Sequence, residues 1–223
     1  MDKNYLKLKS FAEGRGIELF GVADIAGVKG KFNISKSLTD KVDKAVCLGM
    51  RLSSSILEEL SSQPSRLYLH HYRTVNSSLD QVALEISNMI QRDGFCSIPI
   101  PASVVVDWEK QTAHLSHRQV AVLAGLGWIG RNNLLVNGLL GSQFRLATVL
   151  TDLPLAKDAP VEDDCGSCRR CVNACPAQAI HDTPLEFDHN SCLEKLKSFQ
   201  KQRMIDQYIC GVCVNTCRGP KIG

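Results

Sequence analysis

Eight of the chain's ten cysteines lie between Cys165 and Cys217, and only Cys47 and Cys96 fall outside that stretch. Their spacing constrains the chemistry further. Cys165-x-x-Cys168-x-x-Cys171-x-x-x-Cys175-Pro176 is the run with which bacterial ferredoxins hold a four-iron cluster, proline included. A short loop brings three thiolates round one cube of iron and sulfide, while the fourth cysteine starts a helix directed toward a second cube. A second set comes later as Cys192 and then Cys210-x-x-Cys213-x-x-x-Cys217, its first ligand displaced by a longer insertion. In two-cluster ferredoxins the fourth cysteine of each run ligates the opposite cluster. That rule assigns Cys165, Cys168, Cys171 and Cys217 to one [4Fe-4S] cluster and Cys192, Cys210, Cys213 and Cys175 to the other.

Competing uses of the thiols fit less well. Zinc wants four ligands, commonly as two CxxC pairs, and the uninterrupted run overfills such a site. Disulfides suit short secreted chains, and this one opens with "MDKNYLKLKS", which lacks the apolar stretch of a secretion signal. A cytoplasmic location is expected, where thiols stay reduced. Clusters that only staple the domain are the plainer alternative, but two of them in one small domain argue for electron transfer. Arg169, Arg170, Lys195, Lys197 and Lys201 could offset cluster charge, although a solvated face explains them more simply. Cys47 and Cys96 are expected to be buried structural thiols.

The rest of the 223-residue sequence is that of an ordinary globular chain. With 44% hydrophobic and 22% charged residues it can bury a proper core, and a formal net charge of +3 is too mild to imply nucleic acid by itself. No segment has the length needed to span a bilayer.

"VAVLAGLGWIGRNN" contains Gly125-x-Gly127-x-x-Gly130, the outline of a dinucleotide fingerprint. That motif needs a helix immediately after it to hold a pyrophosphate. Gly130 is instead succeeded by an Asn132-Asn133 pair, then Asn137-Gly138 and Gly141, which favour turns, so NAD is not expected even though Asp152 stands where a ribose-binding acid could. "LLV" and "LL" around Asn137-Gly138 read as a hairpin.

Hydrophobic periodicity predicts a helix over 2–14, strands at "IELFGVADI" and "KAVCLGMRL", and a helix from Ser77 that closes at Asp93-Gly94. Pro99 and Pro101 mark an edge segment before a short "SVVV" strand. "HLSHRQVAVLAG" reads as a helix capped by Ser116. The Pro- and Asp-containing "AKDAPVEDD" suggests a boundary near Pro160, with an α/β domain over 1–159 and a small cluster domain over 160–223.

"AGLGWIGRNNLL", "GSQFRLATVLTDLPL", "CGSCRRCVNACPAQAI" and the displaced "CGVCVNTC" together resemble the epoxyqueuosine reductase family, corrinoid- and iron–sulfur-dependent enzymes similar in part to reductive dehalogenases. The resemblance implies a nitroreductase-like α/β fold for the N-terminal domain, followed by a ferredoxin-like domain with two [4Fe-4S] clusters. It implies electron flow through the clusters to cobalamin, with the segment bearing Gly125, Gly127, Trp128, Gly130, Arg131 and Asn132 forming part of the corrinoid wall. An electron donor such as a flavodoxin or ferredoxin is implied as partner, and a small molecule or modified nucleoside as substrate. Asp107 is the candidate catalytic acid, although Val106-Asp107 stands farther before Trp128 than the family's "VD" pair does. Arg131 replaces the family's usual Lys, and Cys217 lacks the following proline. The family continues into a helical-repeat region that helps to bind tRNA, whereas this sequence ends at Gly223, which counts against a tRNA substrate. An electron-transfer protein without its own pocket is the alternative function. His70, His71, His114 and His117 are expected to be surface or satisfied histidines rather than ligands.

Overall fold

The computed structural model describes residues 2–107 and 111–219. They form two compact units, each assembled from separated stretches of chain: Met1–Met50, Val75–Leu126 and Arg145–Val161 in the first, Arg51–Thr74, Gly127–Phe144 and Glu162–Gly223 in the second. The last crossing falls beside the boundary expected near Pro160. The second unit also recruits 51–74 and 127–144, which a linear division into 1–159 and 160–223 leaves with the first.

In the first unit, α1 (Lys3–Glu13) begins at Asp2, whose carboxylate accepts from Asn4 N and Tyr5 N and so satisfies two of the open donors of the first turn. Strand β1 (Leu19–Asp24) pairs antiparallel with β2 (Lys44–Arg51), with one-turn helix α2 (Lys36–Thr39) between them. Helix α3 (Ser54–Leu57) belongs to the second unit. The long α4 (Arg66–Arg92) comes next, its apolar positions Leu79, Val82, Ala83, Ile86 and Ile90 all buried. It starts eleven residues before the expected Ser77, because "RLYLHHYRTVN" is helical as well. Gly94 ends it in the left-handed region, as Asp93-Gly94 suggests.

Four strands form one sheet in the order β1-β2-β6-β3, where β3 is Ser97–Ile100 and β6 is Phe144–Thr151. Asp43 N bonds to Thr151 O and Leu52 N to Gln143 O, so β2 and β6 run antiparallel, as do β3 and β6. The central strands carry Ala45, Val46, Leu48, Ala147, Val149 and Leu150, all fully buried. Pro99 lies on the outer strand β3, where a missing N–H breaks no ladder bond. The expected "SVVV" strand does not form: Val104, Val105 and Val106 are exposed and outside any strand. Helix α5 (His117–Leu123) is capped by the Ser116 hydroxyl, which accepts from Gln119 N.

No helix succeeds Gly130. The chain turns through 131–134 and enters β5 (Leu135–Val136), which pairs back on β4 (Trp128–Ile129). The expected "LLV"/"LL" hairpin is thus replaced by a pairing with the glycine segment itself, leaving only an Asn137–Gly141 bridge across the Asn-Gly turn and Leu139 exposed. The second unit is completed by α6 (Arg170–Ala174), α7 (His189–Lys201) and α8 (Val212–Thr216). No described helix is long and apolar enough to cross a membrane.

Candidate metal centre

The second unit arranges its cysteines about two short helices. Cys165 and Cys168 lie in the loop before α6, Cys171 lies within it and Cys175 just beyond it. Cys213 lies within α8, with Cys210 before it and Cys217 just after it, and Cys192 comes from α7. The pairs Cys171/Cys175 and Cys213/Cys217 are each four residues apart, a rise of about 6 Å. Helices α6 and α8 pack on one another. Each therefore delivers one thiol near its start and another past its end.

Mutual electrostatics sort the thiols. Cys171 is influenced by Cys217, Cys165 and Cys168, whereas Cys192 is influenced by Cys175 and Cys210. Cys213 is influenced by Cys210, Cys192 and Cys175 and also by Cys171, so the two sets adjoin. Burial, reinforced by neighbouring sulfurs, pushes the Cys171 and Cys192 thiols up to about 11. Burial likewise raises Cys210, Cys213 and Cys217, although Ser142 and Gly219 N oppose the rise at Cys217. Such thiols do not ionise alone near neutrality; a bound cation centre must supply the compensation and release their protons. Ala179 N adds a donor to Cys175 Sγ at 3.4 Å.

All ten cysteines are free. Among the described residues no three His, Cys, Asp or Glu side chains converge closely enough for a single ion, as tetrahedral zinc with bonds of about 2.3 Å would require. Two sets of four thiols are the donors that iron–sulfur cubes use, and they fit that cofactor.

The glycine segment braces this centre. Gly127 has φ +150°, and a Cβ there would collide with the Val136 carbonyl oxygen, so β5 can approach only glycine. A Cβ on Gly130 would strike the Val136 side chain and sit 3.4 Å from Cys165 Sγ. In the first unit, a Cβ on Gly125 would come within 2.5 Å of the Ala159 carbonyl oxygen. Arg131 donates to Cys168 O at 2.9 Å and Gly166 O at 2.8 Å. Asn132 is buried, donating to Ser142 Oγ at 3.0 Å while its Oδ1 accepts from Leu134 N. The three glycines are thus occupied by the protein's own backbone and side chains rather than forming an open cradle. Two buried donors of this segment nevertheless have no acceptor among the described residues, Trp128 Nε1 and Arg131 Nε. They are the atoms that fit a bound group here, since a buried unpaired N–H costs about 1–3 kcal/mol.

Asp107 bridges Thr112 through both backbone groups, at 3.3 and 3.1 Å, and residues 108–110 lie outside those described. Thr112 lines a cavity of about 610 Å³ in the first unit, with Lys31, His114 and the partly buried Arg118 also on its wall. Of the four histidines singled out in the sequence, His71, His114 and His117 have structural partners, whereas His70 lines a cleft of the second unit. His71 Nε2 accepts from Ser53 N, His114 Nδ1 meets Asn33 O, and His117 bonds Thr148 and Pro101 O. Burial pushes His117 down to about 4. Cys47 is buried and pushed up to about 12, whereas Cys96 is only half-buried, because its backbone rather than its side chain is engaged, by Asp152 and Thr151. Lys197 is tied to Glu194 on α7, as an ordinary solvated face would have it.

Comparison with known proteins agrees with this centre. Residues 164–219 match a family model described as a 4Fe-4S double cluster binding domain. The chain is 38% identical over 103 residues to an epoxyqueuosine reductase from Leadbetterella byssophila, covering 42% of this chain and 33% of that relative. It therefore spans about a third of the length of that curated relative. In fold it resembles the catabolic reductive dehalogenase NpRdhA, with a TM-score of 0.76 at 19% identity, over 94% of this chain and 31% of that one. It also resembles the epoxyqueuosine reductase of Streptococcus thermophilus, with a TM-score of 0.63 at 19% identity, over 98% of this chain and 66% of the other. The chain is epoxyqueuosine reductase-like, a mixed α/β protein with a double-cluster domain.

Proposed function

We propose that this chain is a cytoplasmic iron–sulfur oxidoreductase of the epoxyqueuosine-reductase-like type. It holds two [4Fe-4S] clusters, one on Cys165, Cys168, Cys171 and Cys217 and one on Cys175, Cys192, Cys210 and Cys213. The carrying observation is the packing of α6 on α8, which brings Cys171 beside Cys165, Cys168 and Cys217 and brings Cys175 and Cys210 beside Cys192. Adjacency supports relay over stapling, because the two thiol sets share the packed helices α6 and α8. When bound, the clusters supply one-electron carriers, and a corrinoid supplies the low-valent cobalt for bond chemistry.

The residues perform the rest. Arg131 clamps the loop of Cys165 and Cys168, and Trp128 Nε1 and Arg131 Nε offer buried donors to a corrinoid. Asp107 is the acid on the first unit. Its assignment draws support from a solved epoxyqueuosine reductase of Bacillus subtilis, whose catalytic loop bears an aspartate. The corrinoid draws support from a fold neighbour tied to B12-dependent dehalogenation. A flavodoxin or ferredoxin is the donor. For substrate, a modified nucleoside is favoured by the relatives' name. One solved epoxyqueuosine reductase holds a tRNA stem loop, which keeps tRNA open as a substrate here.

Anaerobic reconstitution with iron, sulfide and a cobalamin, followed by gel filtration, tests the reading. Corrinoid co-eluting with clusters supports it; clusters without corrinoid leave an electron-transfer protein that serves a separate enzyme.

A further inference from the structure

A cleft of about 420 Å³ lies within the second unit, between the start of α4 and the segment after α7. Its floor is apolar, with Leu69 and Ile205 each 5% exposed and Met204 half-buried. Its rim is cationic. Arg66, His70 and Arg73 recur at i, i+4 and i+7 along one face of α4, and Arg203 faces the same space. Arg73 donates to Asp206 at 2.8 Å and Gln207 at 3.2 Å, which neutralises the one carboxylate on the wall. Among the described residues Arg66, His70 and Arg203 have no acidic partner. Arg203 is also held at φ +56°, a conformation uncommon outside glycine, by bonds from Arg203 N to Gln200 O and Met204 N to Phe199 O.

Position gives this charge a purpose. The segment joins Cys192 to Cys210, and Asp206 is only four residues from Cys210, so their Cα atoms lie within about 14 Å of each other. An apolar floor inside a charged rim suits a small, transient protein interface. It does not suit single-stranded RNA, because no Phe, Tyr or Trp lines the cleft to stack on a base.

We propose that this cleft docks a small acidic electron-carrier protein, which delivers electrons to the cluster on Cys175, Cys192, Cys210 and Cys213. The inference rests on the proposed cluster assignment. One electron leaves the reduced carrier, which is oxidised by one electron, and enters the cluster; no bond forms or breaks.

The test uses the reconstituted full chain with R66E and R203E combined. Reduction of the clusters is followed by stopped flow with a reduced acidic flavodoxin and, separately, with an uncharged photoreductant, over a series of ionic strengths. The flavodoxin rate should fall at least about tenfold at low salt and lose its salt dependence, since rim charges steer association. The photoreductant rate and iron content should not change, and R66K with R203K should retain the wild-type rate. An unchanged flavodoxin rate, an equal loss with the photoreductant, or a wild-type chain that flavodoxin does not reduce would overturn the inference. So would loss of binding to an RNA stem loop with the flavodoxin rate intact. A wild-type chain that takes up no iron–sulfur cluster would instead refute the cluster reading beneath it.

Discussion

Arg131 reaches from the turn after β4 to the carbonyl of Cys168, donating at 2.9 Å, and with its other terminal nitrogen holds Gly166 O at 2.8 Å. One guanidinium thus fixes two carbonyls of the loop that carries Cys165 and Cys168, just before the α6 thiol Cys171. Hydrogen bonds from charged donors contribute about 1.5–3 kcal/mol each, less where solvent reaches them. R131Q should therefore release iron to a chelator about tenfold faster than wild type, measured as loss of visible absorbance under anaerobic conditions. R131K, with a point charge in place of the planar fork, should fall between them.

The crossed ligand sets make a separable prediction. Cys175 closes the uninterrupted run in sequence yet is grouped with Cys192 and Cys210 in space. C175S should therefore spare the cluster on Cys165, Cys168 and Cys171, and C217S should disturb it. Spectra of the reduced variants distinguish the two, each variant retaining about four irons. If C175S damages the cluster of its own run, the grouping is wrong.

Gly127 accommodates both its left-handed φ and the close approach of Val136 O. G127A should cost at least about 2 kcal/mol, because strain and collision coincide. G27A, where nothing lies within 4 Å of the added Cβ, should stay within about 0.5 kcal/mol of wild type. Urea unfolding with cluster absorbance as the signal gives both values.

His117 predicts a pH dependence in the first unit. Pro101 O can only accept, so Nε2 carries the proton and Nδ1 accepts from the Thr148 hydroxyl, leaving the ring neutral. Its folded-state pKa, about 4, is below the ordinary 6.5, chiefly through burial. The unfolded chain therefore takes up a proton first as pH falls, and stability is lost between about 6.5 and about 4, by at most about 3 kcal/mol. H117Q should show a correspondingly shallower loss of unfolding free energy over that window; a slope equal to wild type would contradict the assignment.

Much of this was legible in residue order. The cysteine run and its displaced second set mark the cluster domain, and the two-cluster ferredoxin rule proposes the crossed ligand sets from the same spacing. Alternation and capping mark α1, β1, β2 and α5, and the turn-forming residues after Gly130 rule out a crossover helix. Three features were hidden for physical reasons. The partner of "LLV" is "WI", chosen by the glycines that let the backbones meet, and periodicity does not report backbone clearance. The early turns of α4 mix His, Arg and Tyr around Leu69 and so lack a clean apolar stripe. Arg203 contributes to a cationic rim only because a left-handed turn brings it opposite Arg66, and neither residue signals the other in sequence.

The most direct test of the whole account is to count iron and acid-labile sulfide in the anaerobically reconstituted chain and record the low-temperature magnetic resonance spectrum after reduction. About eight irons and eight sulfides per chain, with signals broadened by spin coupling between two reduced centres, are expected. About four irons with one isolated signal, or zinc in place of iron, would contradict it.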